Sequence, residues 1–345
     1  MLTEQIDAVI GIDTHKHTHT AAAVAATGAV LEHLTVPADP KGYRHLLAFG
    51  RRHGAGLWAI EGTGSFGAGI TTLLLAGGER VVEVERPQRT ARRAGVKNDD
   101  VDAVRAARQA LAGVGVSEPR RRGEREAIRV LLTTRAQAIE FRTRAIAAVH
   151  AIVVSAPDSL RERLRSLPLA GLLHTCAGLR GSSRQCAEEF ATVTALRATA
   201  RRALACQREA AGLENQIDQL VRRVAPTLLD EVGIGPVVAA QLVVSWSHAG
   251  RVRSEAAFAK LAGVAPIEAS SGTVVRHRLS RFGDRQLNRA LHTIVMVRMR
   301  QDPETIEYVH RRVEQGKSVR EIKRCLKRYV ARHLFRQLEA MPITT

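Results

Sequence analysis

The sequence predicts an N-terminal α/β domain with a mixed sheet, then a long helical, coiled-coil segment, then a mostly α-helical C-terminal region. Three observations carry this. Up to about residue 112, short runs of Val, Thr and Ala alternate with segments of helical spacing. Residues 123–154 and 185–224 contain no proline and almost no glycine. From Pro226 onward, helical patterns return, broken by glycine and rich in positive charge. The implied boundaries are 1–115, 116–225 and 226–345.

In the first part, Ala8–Asp13 is an apolar run ending in an acid. Thr18–Ala26 and Val30–Val36 read as strands joined by the turn Ala26-Thr-Gly-Ala29. Pro40–Arg52 has helical spacing through Tyr43, Leu46, Leu47 and Phe49. Leu57–Ile60 is a short buried strand, Phe66–Leu75 a helix and Arg80–Val84 another strand. Lys97–Leu111 is helical, with Val101, Val104 and Ala107 on one side. Hairpin strands followed by alternating helices and strands suit a mixed sheet covered by helices.

In the middle, Thr199, Cys206, Leu213 and Leu220 recur every seven residues, as do Leu196, Ala203, Ala210, Ile217 and Val224. The two sets interleave as an a/d seam. It fits a coiled coil between subunits or a long helix packed within its own chain. Ser155–Leu169, with Pro157 and Pro168, reads as a break between two long helices.

In the last part, Val232-Gly-Ile-Gly-Pro236 joins the helical segments Thr227–Val232 and Val237–Trp246. Such a hairpin exposes backbone N–H groups at Gly233 and Gly235 that suit a DNA phosphate, or it is a plain turn between helices. Then follow Phe258–Gly263, a Pro266–Gly272 loop, the helix Arg285–Arg300 and a basic helix from Ser318 to about Leu338.

Charge narrows the function. The 345 residues hold 52 Lys and Arg against 34 Asp and Glu, a formal net charge of +18. From Thr273 onward, 17 Lys and Arg face 7 Asp and Glu. Phosphate backbones reward such clustering through counterion release. Lys323, Arg324, Lys327 and Arg328 are candidate phosphate contacts. Aromatic residues are only 3%, against a mainly stacking mode of single-strand binding. No apolar run approaches the roughly 20 residues of a membrane span, and no secretory leader is visible. The four cysteines lack paired spacing and read as reduced thiols.

Carboxylates stand out in so basic a chain. Asp13 ends one predicted strand and Glu61 another, where ligands collect at sheet edges. Asp99 and Asp102, three apart at a helix start, share one face. Together the four suit two Mg²⁺ ions (or Mn²⁺) held against a phosphate. Singly, Asp13 also suits loop amides, Asp99 a helix cap and Glu61 a turn. Asp100 points elsewhere. His15, His17 and His19 alternate, so on a strand they share one face; a solvated face or phosphate contacts fit them better than a metal site. Ser270-Ser-Gly272 precedes Arg276, Arg278 and Arg281, which suit clamping a phosphate, although from spacing alone a polar turn explains the serines better.

Taken together, these segments resemble the DEDD transposases of bacterial insertion sequences, the bridge-RNA-guided serine recombinases. The likeness rests on Gly11-Ile-Asp13, Glu61-Gly-Thr-Gly64, Glu83-Val-Glu-Arg-Pro87 and Lys97-Asn-Asp-Asp-Val-Asp-Ala103. Further along, it rests on Gly233-Ile-Gly-Pro236, Phe258–Pro266, Ser270-Ser-Gly272 and Arg278–Leu291. The resemblance implies an N-terminal RuvC-like, RNase H-type domain with its metal tetrad on Asp13, Glu61, Asp99 and Asp102. It implies a C-terminal transposase domain whose nucleophile is Ser271, with Ser270 its neighbour. It also implies a covalent phosphoserine intermediate, a structured bridge RNA that selects donor and target double-stranded DNA, and acids and serine drawn from different subunits. The expected assembly is a dimer that becomes a tetramer when active, in the bacterial cytoplasm at the nucleoid, with no membrane. Two other readings are a RuvC-type junction nuclease using water, and a non-enzymatic nucleic-acid-binding protein derived from a transposase.

Overall fold

The computed structural model describes residues 7–85, 99–182, 186–268, 277–278 and 283–341. It forms two compact units. One comprises the chain up to Arg121 with Gly250–Val252; the other holds Arg122–Ala249 and the chain from Arg253 onward.

The first unit is built on a six-stranded mixed sheet. Its strands are β1 (Ala8–Thr14), β2 (Thr18–Ala25), β3 (Val30–Pro37), β4 (Ala55–Glu61), β5 (Val81–Val84) and β6 (Val116–Ser117), in the order β3-β2-β1-β4-β5-β6. β1, β2 and β3 pair antiparallel, while β1–β4 and β4–β5 pair parallel. This mixed sheet, followed by a mostly helical region, fits the expected RNase H-like arrangement. Helices α1 (Pro40–Arg52), α2 (Ala68–Ala76) and α3 (Asp99–Leu111) complete the unit.

Strand alternation sorts the core. Ile10, Ile12, Trp58 and Ile60 pack with Leu46 and Phe49 of α1 and Ile70 and Leu74 of α2. Val9, Leu57 and Ala59 pack instead with Ala103, Ala106, Ala107 and Ala110 of α3. Those four alanines recur at helical spacing and let α3 lie unusually close to the sheet. Closest of all is the passage over Gly11: a Cβ there would sit 2.6 Å from the Ala107 backbone nitrogen and closer still to the Ala103 carbonyl oxygen.

In the second unit, α4 (Glu124–Val154) and α7 (Ala187–Val224) run antiparallel. Arg135 pairs with Glu214 at 2.8 Å, Arg142 reaches Gln207 at 3.2 Å, and Arg223 pairs with Glu124 at 2.9 Å. A step of seven forward on one helix thus matches seven backward on the other. Leu196, Ala203, Ala210 and Ile217 of the heptad seam are buried, with α4 covering the seam within the same chain. The other set, Thr199, Cys206, Leu213 and Leu220, is half-buried, as is Val224.

Ser155–Leu169 is more ordered than expected. It holds α5 (Asp158–Leu164), and α6 (Leu169–Gly178) begins at its end. Pro157 and Pro168 stand at the N-caps of these helices, so each proline starts a helix as well as ending one. Leu160, Leu164, Leu172, Leu173 and Cys176 close one end of the long pair.

The later chain adds a 3₁₀ turn at Pro226–Asp230, in place of the helix expected over Thr227–Val232. Then come α8 (Pro236–Trp246), α9 (Glu255–Leu261), β7 (Ile267–Glu268), β8 (His277–Arg278), α10 (Arg285–Gln301), α11 (Pro303–Glu314) and α12 (Val319–Glu339). β7 and β8 pair antiparallel, so the segment expected as a loop is flanked by a short ladder. Ser318 and Glu321 form a capping box at the start of α12. Among the described residues, no helix is long and apolar enough to cross a membrane.

Candidate metal centre

Parity decides where Asp13 and Glu61 point. Ile12 pairs with Ile60 across the parallel β1–β4 ladder, so the next residues, Asp13 and Glu61, stand at the same sheet edge. Both share the parity of Val9, Leu57 and Ala59, hence the face covered by α3. That helix begins with Asp99, Asp100 and Asp102. Its contact with Gly11 carries the first turn over the strand ends. Thr14 ties the two strands there, its hydroxyl donating to the Glu61 carbonyl at 2.8 Å.

The four expected acids therefore meet. Asp13 and Glu61 are buried, while Asp99 and Asp102 are more open. Burial is the main influence raising the Asp13 carboxyl above its ordinary range; His15 opposes it, and the charges of Asp102, Glu61 and Asp99 add to it. Asp100 points away, toward His33 at 3.6 Å, as expected.

Two side chains join the acids that the sequence reading did not place there. His15 Nδ1 stands 3.7 Å from Asp13 and 3.9 Å from Asp99. Ligand atoms of Asp13, His15 and Asp99 all lie within 4.8 Å of one another. Arg105 donates to Glu61 at 3.0 Å and also to Asp102. Its signal was its spacing, three residues beyond Asp102 on the same helical stripe.

Alternation would put His15, His17 and His19 on one face only if Thr14–His19 were extended throughout. The chain turns there, with His15 N bonded to the Thr18 carbonyl at 3.0 Å. His15 and His17 lie on the turn, and only His19 is in β2. His19 is buried and stacks on Tyr43, with ring centres 5.5 Å apart. Burial holds its imidazole below the ordinary range. The three histidines thus share no face.

The donor set fits a divalent cation. Carboxylates are hard oxygen donors that suit divalent ions, and the imidazole nitrogen of His15 is the softer donor among them. Asp13, Asp99 and His15 offer the convergent atoms, with Glu61 and Asp102 beside them.

The remaining candidates lie in the second unit. Ser270, Ser271, Arg276 and Arg281 lie outside the described residues. Arg278 is placed by backbone on β8, paired with Ile267. Gly233 adopts φ +86°, and a Cβ there would press on Ile294 and Val297 of α10 at 3.1–3.3 Å, whereas Gly235 has open space. Of the basic residues on α12, Arg324 is exposed and Lys323 half-buried. Lys327 donates to Asn288 at 3.0 Å and Arg328 to the Glu255 carbonyl at 3.4 Å.

Comparison with known proteins matches both parts of the chain. Residues 10–156 match a family model described as Transposase, the IS110-type DEDD group. Residues 225–310 match a model described as Transposase IS116/IS110/IS902 family. The Insertion element IS110 uncharacterized 43.6 kDa protein of Streptomyces coelicolor is 34% identical over 109 residues, which cover 31% of this chain and 27% of that protein. The aligned stretch is thus a little over a quarter of that relative. With both matched regions in order along one chain, and the mixed sheet under the first, the protein belongs to the IS110 family of DEDD transposases.

Proposed function

We propose that this transposase cuts and rejoins DNA through a covalent phosphoserine on Ser271, assisted by Mg²⁺ or Mn²⁺ held at Asp13, Glu61, Asp99 and Asp102. The observation that carries the reading is the meeting of four carboxylates at one sheet edge in a chain of net charge +18. Few structural roles call for four acids to share a half-buried site, whereas a polyanion-binding enzyme gains from one that concentrates cations.

The work divides among an N-terminal nuclease domain (1–115), a helical assembly region (116–225) and a transposase domain (226–345). Ser271 belongs to the stretch 269–276 joining the paired residues Glu268 and His277. In cleavage, its Oγ gains a bond to phosphorus as the bond from phosphorus to a sugar oxygen breaks. The serine proton passes to a base at the site, and the departing oxygen takes one up. The phosphoester is conserved, so rejoining by the reverse path needs no external energy. A divalent ion bound at the acids supplies charge stabilisation for the phosphate oxygens. Arg276, Arg278 and Arg281 are suited to hold the same phosphate.

Gly233 and Gly235, with the basic face of α12, are assigned to nucleic-acid backbone. Donor and target double-stranded DNA are selected through a bridge RNA, and the active protein is a homo-oligomer working at the nucleoid. The decisive experiment traps protein–DNA adducts. Wild type should yield a covalent adduct and Ser271→Ala none, while Asp13→Ala, Glu61→Ala and Asp102→Ala lose strand exchange but keep RNA binding. Cleavage by Ser271→Ala at the wild-type rate would favour a water-using junction nuclease. A discrete structured RNA should co-purify with the protein.

A further inference from the structure

The acidic site is not symmetric. One half holds Asp13, His15 and Asp99, whose ligand atoms converge within 4.8 Å. The other half holds Glu61 and Asp102, and there a cation is already present: the Arg105 guanidinium spans both carboxylates. Glu61 is only 8% exposed in its side chain, so it needs a partner. Arg105 serves that need while spending only part of its donor set, since its Nε is buried without a hydrogen-bond partner. A guanidinium bound through two of its nitrogens, on a long and partly exposed side chain, is displaceable.

Resting on the reading of these acids as a metal centre, we propose that Arg105 is a built-in cation that holds the Glu61–Asp102 half against a second divalent ion until nucleic-acid phosphate arrives. Formal charge explains the coupling. Four carboxylates and one guanidinium carry three net negative charges. One divalent ion at Asp13, His15 and Asp99 leaves a single negative charge. A second ion would reverse the sign of the site unless a phosphodiester, with its one negative charge, came with it. Without Arg105, two ions would balance the four acids with no phosphate present. Arg105 is thus a positioning residue: it acts on the loading of the site and touches no reacting atom.

The test is a titration of the full-length protein with Mn²⁺ alone, bound ions being counted by electron paramagnetic resonance and calorimetry, with and without a short DNA duplex. Wild type should bind one ion without DNA and a second when the duplex is added. Arg105→Gln should take up two ions without DNA, the second with affinity raised about tenfold or more over wild type, within the range of electrostatic coupling between sites. Arg105→Lys keeps the charge but cannot span both carboxylates. It should also raise the second affinity, by less, and it carries the test if the glutamine variant does not fold. Unchanged stoichiometry and affinity in a folded Arg105 variant would overturn the proposal. A different result marks failure of the underlying reading: Mn²⁺ binding that is equal in wild type and Asp13→Asn shows that the acids are not the metal centre.

Discussion

Gly11 of β1 lies directly beneath Ala103 of α3, with no room between them for a methyl group. The relationship matters because α3 carries Asp99 and Asp102 while β1 carries Asp13. A side chain at residue 11 meets backbone atoms, which cannot rotate away, so it lifts the helix. Gly11→Ala should therefore destabilise the first unit by about 1–3 kcal/mol, as overpacking does. It should also weaken Mn²⁺ binding. Thermal melting with and without the ion checks both effects; a variant as stable and as responsive to Mn²⁺ as wild type would show that the close contact is not needed.

The meeting of the acids was legible because strand parity and helical spacing are local rules. Asp13 and Glu61 fall at strand ends, and Asp99 and Asp102 on one stripe, whatever the rest of the chain does. His15 was lost because alternation holds only while the chain stays extended, and a turn at residues 15–17 ends it. Arg105 sat on the right stripe, but its partner Glu61 is 44 residues away, and no local pattern announces such a pair. The heptad seam was visible without its partner for the same reason: periodicity shows that a face is apolar, not which helix covers it. Pro157 and Pro168 were read as breakers, yet a proline at a helix start costs no hydrogen bond.

The basic residues of α12 differ in what they touch. Lys327 donates to Asn288, and burial lowers its pKa; Arg328 reaches the Glu255 carbonyl. Arg324 is exposed and Lys323 half-buried, and among the described residues neither side chain makes a hydrogen bond or ion pair to the rest of the fold. Replacing Lys323 and Arg324 with alanine should flatten the salt dependence of nucleic-acid binding by about two units, near one per lost phosphate contact. Replacing Lys327 and Arg328 should instead lower stability and alter the slope less. Binding isotherms over a range of NaCl, beside melting curves, separate the pairs. Equal slopes for both double variants would assign the contacts elsewhere.

Glu231 ties the 3₁₀ turn at Pro226–Asp230 to two helices. It pairs with Arg298 of α10 and accepts from His333, at 2.8 Å, and Gln337 of α12. Burial raises its pKa, but the hydrogen bonds from His333 and Gln337 and the charges of His333 and Arg298 together outweigh that, leaving it below the ordinary 4.5. A carboxylate with a depressed folded pKa contributes stability above its unfolded pKa. That contribution is lost as pH falls through the folded value. Glu231→Gln should cost about 1–3 kcal/mol at pH 7, the scale of hydrogen bonds to a charged group. The cost should shrink as pH falls below about 4.5 toward the folded value. Urea unfolding at both ends of that range checks the sign; a cost that grows in acid would contradict it.

Sharing of chemistry between subunits makes the last prediction. In the proposed reaction, the acids of one subunit act with Ser271 of another. Asp13→Ala lacks an intact acid set, and Ser271→Ala lacks a nucleophile, so neither homo-oligomer can cleave. A mixed oligomer assembles one composite site with all acids from the serine variant and the serine from the acid variant. Cleavage should therefore reappear when the two proteins are mixed. It should stay below the wild-type level, because only some assemblies are mixed and each mixed dimer has one whole site of two. Subunit exchange is followed independently with differently tagged chains. If the tags mix and cleavage stays absent, each chain builds its own site, and the shared arrangement is wrong.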